Sequence, residues 1–311
     1  MIKRTLYFGN PAYLNLNNKQ LVIKLPEVEK NKKLPENFKQ ESKASITIED
    51  IGVVILDHQQ ITITQGLMAA LLENNVAIIT CDASHMPAGL MLPLEGHNIQ
   101  HERFKYQLES SVPLRKQLWQ QTIIQKILNQ GTVLNEQGKE RQKMIYWAKR
   151  VRSGDPDNCE GKAALHYWSH LFPESLYFSR DRNGDPPNNL LNYGYAILRA
   201  VTARSLVGSG LLPTLGIHHT NKYNAYCLAD DIMEPYRPYV DKIVLEIAKS
   251  GRDYSMLNPE IKKELLGIPT IDVMIEGERS PLMIAMQRTT SSLARCFEGA
   301  GRKIAYPELD Q

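Results

Sequence analysis

No apolar run in this sequence is long enough to cross a bilayer. Stretches such as Leu67 to Leu72 and Val53 to Leu56 fall far short of the ~20 residues a spanning helix needs. The first ten residues, MIKRTLYFGN, carry two basic side chains but no apolar region behind them, so they do not read as a secretory leader and the expected location is cytoplasmic, with no membrane partner. Cysteine is sparse: Cys81, Cys159, Cys227 and Cys296 lie 78, 68 and 69 residues apart, without a CxxC pair, which excludes the usual zinc and dithiol patterns. Also missing are a Walker-type phosphate loop, a GxGxxG after a strand, HExxH and GxSxG. Those absences remove the common nucleotide-binding, zinc-protease and serine-hydrolase templates.

What is present is enough apolar material for sizeable cores, 42% hydrophobic against 23% charged over 311 residues, and that length suggests about two domains. Up to residue 92 the chain is dominated by short β-branched and aromatic runs: Thr5 to Phe8, Leu21 to Leu25, Ser45 to Ile48, Val53 to Leu56, Ile61 to Thr64 and Val76 to Thr80. They are strand-sized and alternating. Asn15 to Asn18 supplies turn residues, Lys30 to Lys43 reads as a long loop, and one helix is expected near Gln65 to Glu73. Beyond Pro93-Leu-Glu-Gly-His97 the period changes to about 3.6 residues, the mark of amphipathic helices.

Pro113 suits the first turn of a helix that Gly131 can close, a second helix is expected over Glu136 to Val151, and a third over Asn158 to Leu171 with an acidic cap from the preceding loop. A polar connection, Ser179 to Asn189, leads into a long apolar helix from Leu190 to about Val207, and further helices are expected over 223–234, 238–250, 259–266 and 281–297. The expected fold class is therefore α+β with two domains. A small N-terminal β-rich, sandwich-like domain (1–92) and a linker (93–101) precede a larger all-α domain (102–300), followed by a tail (301–311).

Charge follows the same division. Residues 1–93 hold nine Lys/Arg and nine Asp/Glu, so the net +3 resides in the helical part. Within 101–152, eleven basic residues (Arg103, Lys105, Arg115, Lys116, Lys126, Lys139, Arg141, Lys143, Lys149, Arg150 and Arg152) face four acids. That surplus suits a polyanion, and equally a solvated helical surface.

Three acidic and histidine elements stand out in the helical part. Glu160 lies in a first helical turn, where it is a candidate for chemistry or simply for capping. His218 and His219 follow a Gly-containing loop, the kind of segment that carries functional side chains, although one histidine alone is more often a packed core group. Asp230, Asp231 and Glu234 crowd one helical face, so they call for a counter-cation, either Arg237 or a metal. Carboxylates with one imidazole suit Mg2+ or Mn2+.

The ordered set Glu160-Gly-Lys-Ala-Ala, Leu190-Leu-Asn-Tyr-Gly-Tyr-Ala-Ile-Leu-Arg199, Leu215-Gly-Ile-His-His219 and Asp231-Ile-Met-Glu-Pro-Tyr-Arg-Pro238 resembles the CRISPR-associated spacer-acquisition integrase. The wording around Gly216-Ile-His-His-Thr-Asn is most similar to the type II branch, which accompanies single-protein RNA-guided nucleases. The resemblance implies a metal-dependent DNA endonuclease and integrase that inserts foreign DNA fragments as new spacers. A fragment's 3′-hydroxyl attacks a phosphodiester at a repeat boundary, without ATP. By motif it implies Glu160, His219 and Glu234 as ligands of Mg2+ or Mn2+, with Asp231 orienting His219 or another ligand and His218 outside the ligand set. Many members carry Asp where Glu234 stands. It further implies a homodimer through the β-rich domain, a bridging dimer of the small second CRISPR-associated integration protein, and double-stranded DNA, both prespacer and CRISPR repeat, as substrate. The basic segment from Arg103 to Arg152 is a candidate phosphate path read from charge alone. Two other readings stand beside this one: a related nuclease of repair or mobile-element movement, and a non-catalytic DNA-binding scaffold.

Overall fold

The computed structural model describes residues 3–173 and 176–309 and divides the chain into two compact units, Met1–Gly96 and His97–Gln311. The first unit is strand-rich, in the order β1 (Arg4–Phe8), β2 (Ala12–Asn17), β3 (Gln20–Lys24), α1 (Pro26–Lys30), α2 (Glu36–Glu41), β4 (Ala44–Thr47), β5 (Ile51–Leu56), β6 (Ile61–Ile63), α3 (Gln65–Glu73), β7 (Ala77–Cys81) and β8 (Pro87–Met91). Its strands form two four-stranded sheets, ordered β1-β5-β7-β8 and β4-β3-β2-β6. In the first, β1, β5 and β7 run parallel, Leu6 opposite Val54 and Val54 opposite Ile78. Ile51 to Ile55 is buried at every position, as strands covered on both faces are. One core joins Leu14 and Leu21 of the second sheet, Ile51, Val54 and Ile78 of the first, and Leu67 and Leu71 of α3.

Two expectations fail in this unit. Lys30 to Lys43 is not one loop: Pro26 opens a short helix at its front and Glu36–Glu41 forms another. Asn15 and Asn17 lie within β2, and the turn falls at Asn18 and Lys19, both at positive φ (47° and 60°).

The second unit contains α4 (Gln100–Leu108), α5 (Val112–Glu136), α6 (Gln142–Arg150), α7 (Cys159–Leu171), α8 (Asn188–Gly208), α9 (Cys227–Ile232), α10 (Arg237–Lys249), α11 (Pro259–Leu266), β9 (Asp272–Ile275), β10 (Glu278–Pro281), α12 (Leu282–Phe297) and β11 (Pro307–Glu308). It is not all-α, because β10, β9 and β11 form a three-stranded antiparallel sheet. Nor do residues 97–101 behave as linker: they enter this unit, and His97 Nε2 lies 3.0 Å from Arg103 Nη1. The supposed tail is likewise integral. Ile304 and Tyr306 are buried, the Tyr306 hydroxyl is 2.7 Å from Thr122 Oγ1, and β11 pairs with β9; residues 310–311 lie outside the described residues.

Gly131 does not end α5, which continues to Glu136. A Cβ at Gly131 would stand 3.0 Å from Met144 Cβ, so the glycine allows α6 to approach α5 closely. Without that break, the next helix begins at Gln142 rather than Glu136.

Candidate active site

α5 supplies the floor of the site. Leu118, Trp119, Thr122, Ile123, Lys126 and Ile127 recur at three- and four-residue spacing and are all buried, so Lys126 projects from an apolar stripe into the interior.

Lys126 Nζ lies 2.7 Å from Glu160 Oε1 and 2.6 Å from Glu234 Oε2, bridging the two carboxylates. Burial works against its charge, but the two carboxylates more than compensate and raise its pKa, so the ammonium stays protonated. Arg237 Nε holds the other oxygen of Glu234 at 2.8 Å. Burial pushes the Glu234 carboxyl up, yet Arg237 and Lys126 outweigh it and hold the pKa at about 2. Glu234 Oε2 is thus met by the Lys126 ammonium, as Oε1 is by Arg237.

Glu160 is not the cap of its helix. Asp155 accepts from the backbone N–H of Cys159 and Glu160, both at 2.9 Å, and Asn158 Oδ1 accepts from Gly161 N at 3.1 Å. These side chains satisfy the first-turn donors, and the Glu160 carboxylate is free to face Lys126.

Asp231, fully buried on α9, organises the histidine loop: its Oδ2 accepts from His218 N at 2.9 Å, its Oδ1 from His219 N at 3.3 Å, and Oδ1 also pairs with His219 Nδ1. That hydrogen bond raises the His219 pKa against the opposing effect of burial, with smaller contributions from Glu234 and Glu160. With Nδ1 committed to Asp231, Nε2 is the ring nitrogen left for a ligand.

His218 stacks flat on Trp119, centroids 4.1 Å apart and planes 1° from parallel, and burial depresses its pKa. Its ring is thus part of the packing. Gly216 is required here: a Cβ would lie 2.3 Å from His219 O and 2.8 Å from Asp231 Oδ2.

The three clustered acids are not neutralised by one cation. Asp230 takes Arg199 at 2.6 and 3.2 Å and Asn224 Nδ2 at 2.7 Å, Asp231 takes the histidine loop, and Glu234 takes Arg237 and Lys126. α9 ends at Ile232 and Glu234 opens a 3-10 turn that leads into α10.

As the side chains stand, no three His, Cys, Asp or Glu among the described residues enclose a metal position. The donor types nonetheless suit a hard divalent ion: two carboxylates already converge on one cation. Glu160, Glu234 and the ring of His219 are the groups that could hold it.

Lys126 was hidden in the basic segment as one of eleven cations, although its place among Thr122, Ile123 and Ile127 marks it as inward-facing. That segment is not one surface. Arg103 pairs with Glu298, Lys126 is buried and Arg152 pairs with Asp157, whereas Lys143, Lys149 and Arg150 are exposed. Asn129 was also missed: it donates to Pro235 O at 2.8 Å and Pro307 O at 3.0 Å, beside Glu234.

The family model described as CRISPR associated protein Cas1 matches residues 6–255. A CRISPR-associated endonuclease Cas1 of Neisseria meningitidis serogroup C (strain 8013) is 35% identical over 312 residues, which is 99% of this chain and 97% of the relative. Among solved structures, a casposase bound to integration product is similar at TM-score 0.77 and 21% identity, covering 98% of this chain and 92% of that one. A chain of a Cas6-RT-Cas1–Cas2 complex gives TM-score 0.74 and 20% identity over 99% of this chain and 36% of that one.

Proposed function

Since the chain belongs to the CRISPR-associated Cas1 family, we propose that it is a divalent-metal-dependent DNA endonuclease and integrase that inserts captured fragments at the repeat boundaries of a CRISPR array. The observation that carries this reading is the shared cation: Glu160 and Glu234 close on one ammonium next to a histidine whose Nδ1 is fixed by Asp231.

In the proposed mechanism Glu160, Glu234 and His219 hold Mg2+ or Mn2+. Such an ion polarises a phosphodiester and offsets the charge that builds on it. Asp231 fixes the His219 ring through Nδ1 and so leaves Nε2 for a ligand, and Arg237 with Lys126 keeps Glu234 ionised despite its burial. The 3′-hydroxyl of the incoming strand displaces a 3′-hydroxyl of the repeat, one phosphodiester replacing another, so no nucleotide cofactor or covalent protein adduct is needed. With water as nucleophile the same site cuts DNA. Double-stranded DNA, both prespacer and repeat, is the proposed substrate. In this reading the chain forms homodimers, two of which are bridged by a dimer of the small second integration protein. A relative named as an endonuclease, and fold neighbours bound to an integration product or held in a Cas1–Cas2 complex, are in keeping with this. No described helix is long and apolar enough to cross a membrane.

The test is joining of a short duplex with free 3′ ends to a supercoiled repeat plasmid, with the small partner present and with or without Mg2+ or Mn2+. Metal-dependent joining by the wild type that His219→Ala eliminates supports the proposal. A folded, DNA-binding wild type that neither joins nor cuts under any of these conditions rules it out.

A further inference from the structure

Connected to Glu234 through Arg237 lies a buried polar network that the chemistry above does not use. Asp241 on α10 is 1% exposed. Its Oδ2 accepts from the Tyr167 hydroxyl of α7 at 3.0 Å, and its Oδ1 from the Tyr195 hydroxyl of α8. The Tyr195 ring in turn carries the Arg237 guanidinium, with Cζ 4.5 Å from the ring centroid, and Arg180 at 5.5 Å. Arg237 is the residue that grips Glu234.

The spacing gives these contacts a direction. Tyr167 stands seven residues beyond Glu160 on α7, two turns along one face, and Asp241 stands four beyond Arg237 on α10. A continuous chain of contacts therefore runs from the Glu160 helix through Tyr167, Asp241, Tyr195 and Arg237 to Glu234. The two carboxylates also meet at the Lys126 ammonium, carried on a flexible stem from α5. A lysine stem can follow moving carboxylates, whereas buried aromatic rings with few rotamers cannot.

We propose that Asp241, Tyr167 and Tyr195 form a strut that sets the separation of the Glu160 and Glu234 carboxylates, making these three positioning residues for the cation between them. The inference rests on the metal-dependent reading of the site. It extends that reading by assigning the spacing of the carboxylates to residues that touch neither cation nor substrate.

The full-length protein tests it in two ways. First, the Mn2+ dependence of joining and the Mn2+-induced rise in melting temperature are measured for wild type, Tyr167→Phe, Tyr195→Phe and Asp241→Asn. The expected result is a Mn2+ midpoint raised about 3- to 10-fold, somewhat below the 10- to 100-fold typical for losing a direct partner of a ligand, with the joining rate recovering at saturating Mn2+. Tyr195→Leu, which removes the ring beneath Arg237 as well, is expected to shift the midpoint further than Tyr195→Phe. Second, without metal, spin labels at the exposed Ser169 of α7 and Glu246 of α10, in a Cys81→Ser background, report the distance between the helices. In the Asp241→Asn variant that distance distribution broadens or moves. Variants that melt lower but keep the wild-type midpoint and distance distribution overturn the strut and leave the residues a packing role. If the wild type shows no response to metal, the metal-dependent reading falls and the distance measurement alone decides the strut.

Discussion

Replacing Lys126 with methionine removes the ammonium from between Glu160 and Glu234 while filling nearly the same volume. The Glu234 pKa, displaced from its ordinary 4.5 to about 2, corresponds to about 3 kcal/mol of net stabilisation of the carboxylate. Burial works against that figure, and the attraction comes from Arg237 and Lys126 together. With Arg237 still in place, losing Lys126 should cost on the order of 1 kcal/mol, less than the ~3–5 kcal/mol of a buried pair left with no partner. At ~2–4 °C per kcal/mol for a unit of this size, the metal-free variant should melt about 2–4 °C below wild type. Manganese then gives the discriminating result. In the wild type a metal must dislodge the ammonium, whereas in Lys126→Met it meets two unopposed carboxylates, so the same Mn2+ concentration should raise the variant's melting temperature more. Differential scanning fluorimetry over a Mn2+ titration reads both quantities. Equal metal increments in the two proteins would show that the cation position between the carboxylates is not the metal position, and the reasoning would fail.

Three other outcomes follow from the geometry. Glu160→Gln should abolish joining, by at least about 100-fold if the residue holds the ion, yet change the melting temperature by less than Asp155→Ala, because Asp155 and Asn158 rather than Glu160 cap α7; assays of joining and of thermal melting check the two halves. Gly216→Ala drives a methyl group onto His219 O and Asp231 Oδ2, so a loss of about 2–4 kcal/mol in stability together with loss of metal-dependent activity is expected in denaturant unfolding and joining assays. Burial raises the Asp241 carboxyl from 3.8 to about 7, against the opposing hydrogen bonds of Tyr195 and Tyr167 and the charges of Arg237 and Arg180. The folded state thus holds this proton where the unfolded chain has lost it: the stabilisation is full below about pH 4 and disappears as pH rises through about 7. Melting from pH 5 to 8 should fall less steeply for Asp241→Asn than for wild type, and identical slopes would contradict this assignment.

The fold was legible where one period dominated. Gln65–Glu73 and Pro259–Leu266 are helices at the expected bounds, and the β-branched runs before residue 92 are strands, because side-chain alternation and helical stripes are written locally. The parallel pairing of β1, β5 and β7, the strand β8, and the small sheet formed by β9, β10 and β11 were not visible. Each depends on partners distant in sequence, and a two-residue strand such as Pro307–Glu308 has no periodicity to read. Within the site, motif and spacing singled out Glu160, His219, Asp231 and Glu234, but Lys126 was submerged in a count of surface charge. Its role depends on which face of α5 it occupies, and composition carries no such information. The Tyr167–Asp241–Tyr195 contacts were silent for the same reason, since each partner comes from a different helix.

Asn129 joins two segments that are made at very different times. Its amide donates to Pro235 O, adjacent to Glu234, and to Pro307 O, while its carbonyl oxygen accepts from Leu309 N, 180 residues further along. During vectorial synthesis, α5 and the Glu234 turn emerge long before residues 304–309 are available to clasp them. The nascent chain therefore carries Glu160, His219 and Glu234 for the interval between residue 234 and residues 304–309 without the clasp at Asn129, so this part of the fold closes only once the later segment has been made.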